Sequence, residues 1–158
     1  MISFDKKSWV LGSEHTEFPI QNIPFGIYST ASKSPRIGTA IGNKVLDIHQ
    51  LAVSGLIALD TKITENISLN DFISLGKSVT NKIRLDIANL LDIENNTLKD
   101  RADLELFMDE MAEVTMHLPV KIGDYTDFYS SRQHATNVGI MFRDPANALL
   151  PNWLHKKY

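Results

Sequence analysis

The side chains able to do chemistry crowd into one stretch, Gly123 to Asp144, which holds Asp124, Tyr125, Asp127, Tyr129, Ser130, Ser131, Arg132, His134 and Arg143. The mixture lacks a clean apolar face yet carries aromatics, which suits the wall of a site better than a core helix. Asp127 is either a hard-cation ligand or a helix N-cap that satisfies orphan amides. His134, an imidazole that titrates near neutrality, is either a general base or a partly buried, satisfied histidine. Arg143 is either half of a surface ion pair with Asp144 or a fork for an anionic substrate. Ser130 and Ser131 with His134 and Asp127 have the types of a serine triad, but they sit too close in sequence to converge from different elements. Among the eight glycines no spacing forms a phosphate-cradling loop.

These residues need a scaffold. A helix over 127–142 puts Asp127 and His134, seven residues apart, on one face with about 10 Å of rise between them. Upstream, Phe25–Thr30 and Arg36–Ile41 read as strands, and Gly42-Asn43 before Lys44–Ile48 reads as a two-residue II′ hairpin turn. Phe72, Leu75, Val79, Ile83, Ile87 and Leu90 recur at helical spacing and predict one amphipathic helix over 71–91, capped by Asn70 or Asp71. A weaker pattern of Leu104, Phe107, Met108 and Met111 predicts a second helix over 102–111. Both stripes are expected to be core, and no chemistry is visible before residue 117.

Composition narrows the function classes. The chain has 158 residues, 43% hydrophobic and 22% charged, which suits one sizeable core or two small ones. Sixteen basic against nineteen acidic residues give a net charge of −3, which argues against a nucleic-acid footprint and a membrane surface. There is no cysteine, so disulfides, thiolate metal sites and cysteine nucleophiles are excluded, and catalysis must use oxygen and nitrogen groups. The start, Met1-Ile2-Ser3-Phe4-Asp5-Lys6-Lys7, lacks an uninterrupted apolar run behind its lysines, and a cytoplasmic location is expected.

The run from Gly123 through Gly139, continuing over Met141–Asp144, Asn147–Leu149 and Pro151–His155, closely resembles the fumarylacetoacetase (fumarylacetoacetate hydrolase) family. Phe18–Thr30, Arg36–Gly42 and Thr115–Pro119 are similar to that family's amino-terminal region, and only residues 50 to 110 fade to general character. The resemblance implies an α+β, mainly β fold. A small SH3-like amino-terminal β-barrel over 1–117 would be followed, over 118–158, by the truncated start of a mixed β-sheet catalytic domain. It also implies hydrolysis of a carbon–carbon bond of 4-fumarylacetoacetate, giving fumarate and acetoacetate in tyrosine and phenylalanine catabolism, by a homodimer using calcium or magnesium. Carried over residue by residue, Asp127 matches a metal-binding carboxylate, Tyr129 and Arg143 match contacts to the diketo acid substrate, and His134 matches the base that activates water.

Only fifteen residues follow Arg143. The resemblance therefore implies that the remaining metal carboxylates and the acidic partner of the histidine lie outside these 158 residues. The expectation is an amino-terminal fragment with negligible hydrolase activity and no tight metal binding. The competing class is a non-catalytic interaction or assembly module, or a truncated remnant of the enzyme.

Overall fold

The computed structural model describes residues 2–125 and 129–155. The chain divides into two compact units, Met1–Lys121 and Ile122–Tyr158. The first is built on a curled, five-stranded antiparallel sheet. Its strands are β1 (Phe25–Ser29), β2 (Arg36–Ile41), β3 (Lys44–Asp47), β4 (Met108–Glu110) and β5 (Thr115–His117), in the order β4-β3-β2-β1-β5. The β2–β3 hairpin turns at Gly42-Asn43 as expected, pairing Ile41 with Lys44. Gly42 sits at φ +61° while Asn43 has no positive φ, which is the II′ pattern and the reason glycine comes first.

Strand alternation sorts the side chains onto two faces. One face presents Ile27, Ile37, Ile41 and Leu46 to a core shared with helices α1 (Ile48–Val53), α3 (Asn70–Ser74) and α4 (Gly76–Leu90). The other face carries a polar cluster at one end. The Tyr28 hydroxyl, on a fully buried side chain, donates to Asp109 Oδ2 at 2.8 Å, and Lys33 Nζ lies 2.7 Å from the same oxygen. Asp47, also fully buried, accepts from the Gln50 amide at 2.9 Å to cap α1 while Lys33 and Arg36 approach its other oxygen at 3.4 and 3.5 Å. A buried carboxylate survives here because two cations and a helix N-terminus surround it.

Short helices α2 (Thr61–Thr64) and α5 (Asn96–Lys99) start at Asp60 and Asn95, whose side chains accept from the backbone amides two residues on. The amino-terminal strap is pinned to the end of α4: Trp9 Nε1 donates to Leu90 O at 2.9 Å and the Trp9 amide to Leu91 O at 3.2 Å. After β5 the chain stays with this unit. The Leu69 amide donates to Pro119 O at 2.7 Å, and the Asn70 side chain both donates to and accepts from the backbone of Lys121.

Three expectations need correction. The helix expected over 71–91 is two helices, because Gly76 takes φ +81° and breaks the ladder between Ser74 and Gly76. The helix expected over 102–111 is a 3₁₀ turn, Leu104–Leu106, followed by β4. Phe107 still fills the core there, but the backbone of 108–110 pairs with β3 instead of with itself. The fold of the described residues is mixed α and β, not mainly β, with helices holding more residues than strands.

In the second unit the described residues form α6 (Arg132–Ile140) and two 3₁₀ turns, Pro145–Asn147 and Pro151–His155. Within the span 127–142 considered for a helix, the described residues are helical from Arg132 to Ile140, with Ser131 in the N-cap position.

Candidate functional site

Site geometry is set by how α6 begins and how it ends. Ser131 takes an extended conformation and its hydroxyl accepts from the His134 amide at 3.3 Å, so His134 lies in the first turn with its side chain exposed. Its ring packs edge-on against Tyr129, with centroids 4.9 Å apart and planes at 74°. That contact joins two of the residues singled out from sequence.

At the other end the helix closes on Gly139. The Arg143 amide donates to Gly139 O at 2.9 Å, and the chain folds back so that Ala148 presses on the helix. A Cβ on Gly139 would lie 2.0 Å from Ala148 O, so only glycine permits this approach. The same carbonyl receives Arg143 Nη1 at a long 3.4 Å. Asp144 accepts from the Ala146 amide at 2.9 Å and caps the following turn, and no ion pair with Arg143 forms among the described residues.

Between these features lies a cavity of about 400 Å³, within the second unit, whose walls include Tyr129, Val138, Phe142, Arg143, Leu149 and Trp153. A pocket with apolar walls, one guanidinium and one phenol suits a small organic anion. Tyr129 and Arg143 thus share one cavity, and His134 stands beside it through Tyr129. Asp127, expected as a metal ligand, lies outside the described residues. Among the described residues no three His, Asp or Glu side chains converge on a point that would hold a metal ion. Sequence spacing had not singled out Gly139, Ala148 or Trp153. The available signal was a glycine inside a helical pattern, which often marks close packing.

The description "Fumarylacetoacetase N-terminal" fits the family model that matches residues 21–119. The chain belongs to the fumarylacetoacetase family. It is 47% identical over 153 residues to the fumarylacetoacetase of Mus musculus and 47% identical over 154 residues to that of Dictyostelium discoideum. It is 46% identical over 154 residues to the Homo sapiens fumarylacetoacetase. Each alignment covers 94% of this chain and 36% of the relative, so the chain spans little more than a third of the length of these fumarylacetoacetases. The similarity runs through both units, including the stretch that holds Tyr129, His134 and Arg143.

Proposed function

We propose that this chain supplies the amino-terminal part of a fumarylacetoacetase, a hydrolase that adds water across a carbon–carbon bond of 4-fumarylacetoacetate and releases fumarate and acetoacetate. The observation that carries the proposal is the collinear identity of nearly half over 94% of the chain. Residues 1–117 would be an SH3-like domain, and residues 118–158 the opening of the catalytic domain. A cytoplasmic homodimer acting in tyrosine and phenylalanine catabolism completes the proposal.

The reaction asks for a base, a charge stabiliser and a grip on the substrate. Water must lose a proton as it attacks the ketone, and the carbon–carbon bond then breaks with its electrons going to an enolate that is protonated on release. His134 takes the proton of water through an imidazole nitrogen, and Tyr129 holds its ring by edge contact. Arg143 and Tyr129, on one cavity, donate to carboxylate or carbonyl oxygens and orient the diketo acid. A divalent cation, calcium or magnesium, would polarise the diketone when bound, with Asp127 among its ligands. The described residues offer no ligand set for it. Calcium takes six to eight oxygens and Asp127 supplies at most two, so the 158 residues alone are proposed to bind the ion weakly and to hydrolyse substrate negligibly.

A chimera tests the assignment: these 158 residues replace the matching portion of the mouse fumarylacetoacetase. The folded chimera is expected to consume 4-fumarylacetoacetate, and His134→Asn in it to lower kcat by roughly 10²–10⁴. A folded chimera that is inactive, or one indifferent to His134→Asn, would overturn the proposal. Calorimetric titration of the 158-residue chain with calcium tests the metal deficit, and tight stoichiometric binding would contradict it.

A further inference from the structure

A groove flanks the break at Gly76. It lies between α3, α4 and the start of β1, holds about 410 Å³, and belongs wholly to the first unit. Its floor is the aromatic pair Phe25 and Phe72, ring centroids 4.8 Å apart at 61°, with Ile73 beside them. Its opposite wall is a stripe of α4 that includes Lys77, Asn81 and Arg84, spaced so that all three share one face.

Among the described residues no carboxylate pairs with this wall. The first unit has three arginines, of which Arg36 faces Asp47 at 3.5 Å and Arg101 faces Asp103 at 2.8 Å. Among the described residues Arg84 alone of the three has no carboxylate partner and its donors meet no protein acceptor; its guanidinium lies over Phe25, 5.3 Å from the ring centroid. Among the described residues Lys77 likewise has no ion pair and Asn81 no side-chain hydrogen bond. None of the described residues that line the groove is acidic, although the whole chain carries a net charge of −3. The two cations are seven residues, or about 10 Å, apart along α4. Cations at both ends of an apolar floor are complementary to a molecule with the reverse pattern.

We propose that the α3–α4 groove binds a small organic dicarboxylate with an apolar body. One carboxylate pairs with Arg84, the other with Lys77, and the body covers Ile73 and the half-buried Phe25. This site is built from the first unit alone and does not depend on the hydrolase assignment.

Octanedioate, whose extended length is comparable with the cation spacing, is the probe. It is titrated into isotopically labelled 158-residue protein at constant ionic strength while amide resonances are followed. Saturable shifts at Phe72, Ile73 and the first two turns of α4, with a millimolar dissociation constant, are expected. Arg84→Gln and Lys77→Gln should each weaken binding about tenfold. Asn81→Glu, at an exposed helix position, should abolish it by repulsion while leaving the spectrum dispersed. Octanoate should bind more weakly and 1,8-octanediol not at all. Absence of saturable shifts at the groove, equal binding of octanoate or the diol, or indifference to Arg84→Gln would overturn the proposal. So would tighter saturation by a peptide carrying two glutamates around an apolar residue, which would make the surface a protein-docking site.

Discussion

Folding makes the Tyr28 phenol a weaker acid. Its ring fills a slot over Gly38, where an added Cβ would come within 2.6 Å of it, and its hydroxyl is locked to Asp109. Burial pushes the phenol well above its usual range, and the nearby Asp47 and Asp109 carboxylates push the same way. An unfolded chain loses this proton near pH ~10, whereas the folded chain keeps it. Above that pH the unfolded state therefore binds fewer protons than the native state, so stability falls as pH rises. The contribution is fully present below pH ~10 and is lost progressively above it. Tyr28→Phe removes the titrating group and should flatten that alkaline loss. It should also cost about 1–3 kcal/mol at neutral pH, because a hydrogen bond donated to the Asp109 carboxylate is deleted inside the protein. Denaturant midpoints measured across the alkaline range check both, and an unchanged alkaline slope in the variant would refute the assignment.

The elements show what the sequence made legible and where it misled. The β2–β3 hairpin was legible because Gly42-Asn43 sits between apolar runs and the turn's backbone demands glycine. The 71–91 stripe ran unbroken across Leu75 and Gly76 because periodicity records which face is buried, not whether the ladder continues. Leu104, Phe107 and Met108 fit a helix equally well, but the open edge of β3 offered partners for backbone 108–110, and tertiary pairing overrode local spacing. In the site, residue types pointed to His134, Tyr129 and Arg143, while the backbone contact that places Arg143 carries almost no sequence signal. Gly139→Ala probes that contact. Its Cβ would overlap the Ala148 carbonyl, so the turn over 145–147 must leave α6. The expected cost is about 1–3 kcal/mol, typical of forced overpacking. Amide exchange should accelerate in 132–150 and remain unchanged in the β-sheet. Unaltered protection of 132–150 in the variant would show that the helix and turn do not depend on this approach.

At the scale of the whole molecule, stability is concentrated in the first unit. The buried cluster that runs from Val10 to Phe107 draws on the sheet, α1, α3, α4, α5 and the amino-terminal strap, all before Lys121. The described part of the second unit has one nine-residue helix and two 3₁₀ turns, with Ala135 and Ala148 its buried apolar residues among those described. The described residues of this unit bury too little apolar surface to offset the conformational entropy of ordering them, whereas the first unit has its own core. Residues 1–121 should therefore fold alone. Their last residues are tied back internally, through Pro119 to Leu69 and Lys121 to Asn70, so a cut after 121 severs none of the hydrogen bonds that close the unit. A 1–121 chain should give a dispersed amide spectrum that overlays the corresponding peaks of the 158-residue protein, with a cooperative thermal transition. In the longer chain, amides of 132–140 should exchange much faster than those of β1, β2 and β3, since opening of the weaker unit does not require the sheet to unfold. Exchange of α6 at the rate of the sheet, or collapse of the 1–121 spectrum, would show instead that the two units share one folding transition.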